Sequence, residues 1–315
     1  MGAHIAIVGN GRIGRPTAYT LFSERLGDEF SLVDVKPGLA WAFGEELKHV
    51  AASLRHDVKI NTYEENEGVE GADLVVVCPG KPRIPGVQMD RRELVGANAE
   101  IVNHIAEVMP GNNPDATWVI VTNPVDAMAT LFKKVSGADY VIGTGDHPDT
   151  LRMMTKVSME LGVPVSRIEG FVGGEHGSAA YPLWSTISVG GKPLGEYLSE
   201  SGKELDREAV TGYVRGVSRR VLDIIGGTEV GPAAGFRDIV RSILEDRGET
   251  YSVAQSLEFP GIPEPVNVNV PTRVGKALGP NIWDELGEED RANIAEAAKA
   301  IYANYQIGMK AVGKA

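Results

Sequence analysis

The sequence predicts an α/β protein: a doubly wound parallel sheet at the N-terminal end, followed by an α+β domain. Three observations carry this prediction. Short apolar runs alternate with helix-length segments through the first half; the first run leads straight into a glycine-rich turn; and near residue 146 the alternation gives way to longer helices, β-like stretches and glycine/proline-rich turns. Repeated strand–helix alternation implies parallel strands covered on both faces. The expected division is 1–145 and 146–315.

His4-Ile5-Ala6-Ile7-Val8 is an apolar run suited to a buried parallel strand. Gly9-Asn10-Gly11-Arg12-Ile13-Gly14 follows at once and opens a helix over about 15–26. This is G-x-G-x-x-G between a strand and a helix, the context in which the pattern signals dinucleotide binding. The first glycine permits the tight turn, the second lets backbone approach a pyrophosphate, and the third lets helix and strand pack closely. Free N–H groups at the helix start favour the phosphates. All six residues of the turn are therefore candidate cofactor contacts.

A second strand over 30–34 ends in Asp34, twenty residues after Gly14. Such an acid hydrogen-bonds the adenosine ribose hydroxyls and repels a 2′-phosphate, which favours NAD over NADP; Lys36 close by softens that discrimination. Further strands are expected at 58–62, 74–78, 118–122 and 140–143, with helices at 92–108 and 125–135 between them. This is a Rossmann-type arrangement. Ligands bind beyond the C-terminal strand ends in such sheets, where the glycine turn, Asp34 and Asn123 all fall. The second half brings a helix ending at Leu161 and β-like stretches at 168–172, 185–189 and 266–270. A last helix places Ile294, Ala297, Ala298, Ile301, Tyr302 and Tyr305 on one face.

Composition narrows the function classes. An apolar content of 43% with 23% charged residues is that of a soluble globule. The net charge of −12 is divided evenly between the halves, with no basic patch, so nucleic acid is not an expected partner. No apolar run is long enough to span a membrane. Cys78 is the sole cysteine, which excludes an intrachain disulfide and suits a reducing compartment; at the end of an apolar strand it is expected to be an inert buried thiol. The first strand begins so close to Met1 that no signal peptide precedes it, and a cytoplasmic location is expected.

Two clusters of residues point to chemistry. Asp149-Thr150-Leu151-Arg152 opens a helix with its acid and its arginine three apart on one face. Arginine offers a planar fork that matches a carboxylate. Gly173-Gly174-Glu175-His176-Gly177 sets a histidine in a tight turn; an imidazole exchanges a proton near neutral pH, and a neighbouring carboxylate fixes its tautomer. On these residues alone, a surface ion pair beside a structural histidine is the alternative. The second cluster is the segment 79–92, whose glycines and prolines exclude regular structure. Its Lys81, Arg83, Arg91 and Arg92 suit a lid closing over an anion, against the alternative of a solvated charged loop.

With these pieces assembled, the chain resembles the lactate/malate dehydrogenase family from end to end. The matching features are the glycine turn, Asp34, Pro82-Arg83-x-Pro85-Gly86, Val121-Thr122-Asn123-Pro124-Val125-Asp126, Asp149-x-x-Arg152 and Gly174-Glu175-His176-Gly177, in matching order and spacing. The resemblance implies NAD as cofactor, no metal, and a homodimer or homotetramer. It implies that His176 is the general acid/base, that Asp149 stabilises the imidazolium, that Arg152 binds the substrate carboxylate and that Asn123 orients the substrate. Arg91, placed by counting back from Leu94 and Asn98, would polarise the carbonyl, with Arg92 the alternative. Asn98 and the backbone of Val121 and Asn123 would line the cofactor site, and Thr228 the substrate pocket.

Arg83 implies the substrate. In this family the corresponding lid position is typically Gln for lactate and Arg for malate, and a second carboxylate in a closed site needs a cationic partner. The expected reaction is thus (S)-malate to oxaloacetate, with L-lactate or another L-2-hydroxy acid as the alternative. Two rivals of other classes are weaker. An NAD-dependent glycosidase of similar fold would need a Cys/His metal site, and Cys78 is far from His176 in sequence. A non-catalytic nucleotide sensor has no use for Arg91, Asp149, Arg152 and His176 together.

Overall fold

Valine and isoleucine dominate the short strands of the first half: β1 (His4–Val8), β2 (Glu29–Val33), β3 (Lys59–Tyr63), β4 (Leu74–Val77), β5 (Thr117–Ile120) and β6 (Val141–Gly143). They pair in parallel in the order β3-β2-β1-β4-β5-β6. The computed structural model describes residues 2–81 and 91–314, and of Arg91 the backbone alone. Alternate side chains of β1 serve opposite faces, as the strand period requires. Ile5 and Ile7 join the core beneath α1 (Gly14–Ser23) and α2 (Leu39–Leu54), whereas Ala6 and Val8 join that beneath α3 (Arg91–Val108) and α4 (Val125–Ser136). The first helix ends earlier than its sequence suggests, since Arg25 takes a φ of 57° and turns the chain toward β2.

The second half comprises α5 (His147–Leu161), β7 (Ile168–Glu169), β8 (Val172–Gly174), β9 (Ala180–Pro182), β10 (Ser188–Val189), β11 (Lys192–Pro193), α6 (Leu194–Ser201), α7 (Arg207–Ile225), α8 (Val230–Leu244), β12 (Glu249–Leu257), β13 (Val266–Val274), β14 (Leu278–Asn281) and α9 (Glu288–Ala311). The predicted class, a doubly wound parallel sheet followed by mixed α and β structure, is the class observed. The large sheet does not stop at β6: it continues antiparallel through β12, β13, β8 and β9, with β14 on β13. A small sheet, β11-β10-β7, lies apart.

Several predicted stretches differ in detail. The stretch 168–172 is two strands, because Gly170 breaks the extended run at φ 138°. Of 185–189 only Ser188–Val189 pairs, since Trp184–Thr186 forms a short 3-10 turn. The run at 266–270 extends to Val274 because the polar strand β12, which carries no clean alternation, pairs with it throughout.

Two helices from beyond residue 146 complete the cover of the N-terminal sheet. Phe236, Ile239, Val240 and Ile243 of α8 pack with α1 and α2, and Tyr305 and Met309 of α9 pack with α3 and α4. Each such fully buried large side chain contributes about 1.5–3 kcal/mol of transfer free energy. The expected apolar face of α9 is buried, with Tyr302 only half-buried at its edge. No described helix is long and apolar enough to cross a membrane.

Candidate active site

The crevice opens where the strand order reverses, between the C-terminal ends of β1 and β4. It is a cavity of about 1190 Å³, lined among others by Gly9, Gly11, Arg12, Ile13, Gly14, Asp34, Asn98, Val121, Asn123, Arg152, His176 and Thr228. That volume exceeds a typical drug-sized site and suits a dinucleotide with a small acid.

The nucleotide end is built by close approach. Gly9 has φ +86°, and a Cβ there would lie 2.6 Å from the Pro79 nitrogen. A Cβ on Gly14 would meet the Gly9 carbonyl oxygen at 1.8 Å. At Gly11 nothing lies within 4 Å of where a Cβ would sit, so bare backbone faces open space. That cradle fits a pyrophosphate at the start of α1. Asp34 follows β2, and its carboxylate is fixed by the backbone N–H groups of Asn10 (2.8 Å) and Lys36 (2.9 Å). Asn10 is itself fully buried and donates from Nδ2 to the Val33 carbonyl at 2.7 Å, so its side chain holds the end of β2 and does not line the cavity. The Arg12 side chain reaches across to the turn between α7 and α8, where Nη1 donates to the Ile225 carbonyl at 3.1 Å and pairs with Glu229 at 3.0 Å. Asn98 ties two loops together, accepting from the Lys81 N–H at 2.7 Å and donating to the Asn123 carbonyl at 2.6 Å. Cys78 is half-buried on the cavity wall, and burial pushes its thiol up to about 12, which keeps it protonated.

The chemical end forms where α5 meets the turn after β8. Asp149, 2% exposed, lies between Arg152 and His176: its Oδ1 accepts from Arg152 Nη1, and its Oδ2 accepts from His176 Nδ1 at 2.6 Å. The other ring nitrogen, Nε2, has no partner among the described residues, and His176 lines the cavity. Burial alone would lower the imidazole pKa, but the Asp149 carboxylate outweighs it and the net displacement is upward. Burial likewise pushes Asp149 up, yet His176 and Arg152 together hold it below its ordinary value.

Three further residues join this cluster: Asp126, which closes the motif Val121–Asp126, and Asp146 and Asn269, which carry no local sequence signal. The Asp126 Oδ2 accepts from the His176 N–H at 2.8 Å, and burial, joined by Glu175, pushes this carboxyl up to about 7. Asn269 of β13 is a hub: it donates to Asp126 Oδ1 at 2.8 Å and to the Gly174 carbonyl at 3.0 Å, and accepts from the Asp146 N–H at 3.1 Å. Asp146 lies behind the couple, its Oδ1 3.8 Å from His176 Nδ1. Arg215, Ser218, Arg219 and Leu222 of α7 also line the cavity, sharing one helical face.

Arg83, and with it the rest of the lid at 82–90, lies outside the described residues, as does the side chain of Arg91. Arg92 stands exposed in the first turn of α3. Among the described residues, the cluster able to bring potential metal ligands within 4.8 Å of one another is Asp146, Asp149 and His176, without Cys78.

A dinucleotide cradle facing an imidazole–carboxylate couple across one crevice defines a nucleotide-dependent oxidoreductase. Comparison with known proteins sharpens this. Residues 3–141 match the lactate/malate dehydrogenase NAD binding domain, and residues 148–311 match the alpha/beta C-terminal domain of the same proteins. The chain is 36% identical over 306 residues to the malate dehydrogenase of Sulfolobus acidocaldarius, covering 97% of each. It is 31% identical to L-lactate dehydrogenase B of Hordeum vulgare, covering 96% of this chain and 90% of that one. The solved lactate dehydrogenase of Cryptosporidium parvum, complexed with lactic acid and nicotinamide adenine dinucleotide, superposes with a TM-score of 0.89 at 25% identity, covering 98% of both chains. The protein belongs to the lactate/malate dehydrogenase family. It is an NAD-dependent L-2-hydroxy acid dehydrogenase.

Proposed function

We propose that the protein is a malate dehydrogenase, interconverting (S)-malate and oxaloacetate. The observation that carries the chemistry is the single buried carboxylate of Asp149 holding both Arg152 and His176 at the cavity wall. Bound NAD⁺ supplies the hydride acceptor. His176 Nε2 takes the hydroxyl proton as the C2 hydride departs, and Asp149 stabilises the imidazolium so formed. The rest of the Arg152 fork faces the cavity and receives the C1 carboxylate. Asn123, exposed at the cavity edge, orients the substrate, and Arg91 polarises the carbonyl in the reductive direction. The turn Gly9–Gly14 holds the pyrophosphate, Asp34 the adenosine ribose, and Asn98 and Val121 the shape of the cofactor crevice. A dinucleotide-binding unit at 1–145, a substrate unit at 146–315, assembly as a homodimer or homotetramer and a cytoplasmic location complete the reading.

Arg83 supports malate over lactate, since it supplies the cation that a C4 carboxylate requires; greater identity to a malate than to a lactate enzyme agrees. The test compares turnover of oxaloacetate and pyruvate by NADH absorbance. Oxaloacetate is the expected preference, and Arg83→Gln is expected to move the ratio of kcat/KM values toward pyruvate by roughly 100-fold or more, the scale of a lost charged pair. Parent enzyme that already prefers pyruvate would refute the assignment.

Asp34 sets the cofactor discrimination. Asp34→Ser removes the charge while leaving a short hydrogen-bonding group. The expected result is a KM for NADH raised roughly 10-fold, the worth of a charge-assisted hydrogen bond, with NADPH use rising. An unchanged ratio of the two cofactors would remove Asp34 from this role.

A further inference from the structure

Asp146 is fully buried at the start of α5, and neither of its side-chain oxygens accepts a hydrogen bond from a donor among the described residues. A lone carboxylate deprived of water and of donors is too costly to persist in ionised form. Its surroundings add to that cost. From its own helix it faces Asp149, and beyond it Arg152; from α4 it faces Asp126; and from the turn after β8 it faces Glu175 and His176. An oxygen of the Asp149 carboxyl lies within 4.8 Å of one of Asp146, and a proton on either lets the two hydrogen-bond. Asp149 already accepts from Arg152 and His176 yet has lone pairs left for a third donor. A neutral carboxylic acid is such a donor, and two adjacent carboxyls share one proton more readily than they both ionise. A divalent cation is a poorer occupant, because the Arg152 guanidinium already sits on the same carboxylate.

We propose that Asp146 is a positioning residue of the catalytic couple: kept as the neutral acid, it donates its proton to Asp149 and moderates the grip of Asp149 on the His176 imidazolium. The inference rests on His176 being the base. A third donor spreads the negative charge of Asp149, so His176 releases its proton more readily than it would beside a bare carboxylate. It also pins the Asp149 carboxyl in the plane that serves both Arg152 and His176. Burial, followed by Asp149 and Asp126, displaces the Asp146 carboxyl well upward, in agreement with the neutral form.

Two substitutions in the NAD-loaded enzyme test this through the pH profile of malate oxidation. In Asp146→Asn the amide N–H replaces the acid O–H as donor, and the acid limb of kcat/KM stays within about 0.3 unit of the parent's. In Asp146→Ala the donor is gone and the limb moves up by about one unit, a shift that merely structural damage does not produce. A limb that moves down in both variants, as loss of an ionised Asp146 would cause, overturns the proposal; so does a limb that Asp146→Ala leaves in place. Infrared spectroscopy supplies a readout independent of catalysis. At about pH 8.5, above the value of about 7 at Asp126, the parent shows a protonated-carboxyl stretch that Asp146→Asn lacks, and absence of that band from the parent overturns the proposal. If the activity survives His176→Ala with its limb intact, the functional reading is what fails, and the infrared band still decides the protonation of Asp146.

Discussion

Replacing His176 with Asn is expected to lower turnover of malate and of oxaloacetate roughly 100- to 10,000-fold, the usual contribution of a positioned general acid/base. NADH affinity should hardly change, because the glycine turn and Asp34 lie on other strands. The geometry explains why this residue carries so much. Its Nδ1 donates to Asp149 while Nε2 faces the cavity, so tautomer and aim are both set before a substrate arrives. The pH dependence follows with a definite sign. The Asp149 carboxylate raises the imidazole pKa above its ordinary 6.5. Malate oxidation needs the unprotonated ring, so it should rise as pH climbs through that raised value. Oxaloacetate reduction needs the imidazolium and should fall over the same interval. Stopped-flow absorbance of NADH in both directions checks this, and a variant as fast as the parent would remove His176 from the mechanism.

Much of this architecture was legible in the chain because its signals are local. The glycine turn lies within six residues of one strand end, Asp34 closes the next strand, and Asp149 with Arg152 occupies one helical face. The lining stripe of α7 was not legible, since Arg215, Ser218 and Arg219 read as the solvated face of a polar helix in which only Val210 and Val214 are buried. Asn269 and Asp146 were hidden for another reason. Asn269 reaches Asp126 and Asp146, each more than a hundred residues away in the chain, because β13 enters the sheet beside β8 and β12 in antiparallel register. Nothing in the run Val266–Val274 distinguishes that asparagine from its neighbour Asn267, which turns to the Ala254 carbonyl instead. Local sequence marks the residues that chemistry requires at a strand end; the buried polar groups that aim them are defined by tertiary convergence alone.

The same convergence makes Arg152→Leu the other change of large effect. Arg152 is 16% exposed and shares Asp149 with His176, so its removal strips the cavity of a carboxylate receptor and leaves Asp149 with His176 as its remaining ion-pair partner among those it held. Truncating one member of a desolvated, hydrogen-bonded charge pair costs about 2–5 kcal/mol, which at 1.4 kcal/mol per decade predicts a fall in kcat/KM of roughly 30- to 3,000-fold. The loss should appear chiefly as a raised KM for oxaloacetate, since Arg152 is proposed to hold the carboxylate in ground and transition states alike. Arg152→Lys keeps the charge but not the planar fork, and should recover only part of the affinity. A second signature separates this role from simple destabilisation. Arg152 repels the imidazolium, so without it the His176 pKa rises further and the acid limb of malate oxidation moves to higher pH. Steady-state kinetics across pH measure both effects in one series, and a leucine variant with the parent's KM and limb would mean that the substrate carboxylate is held elsewhere.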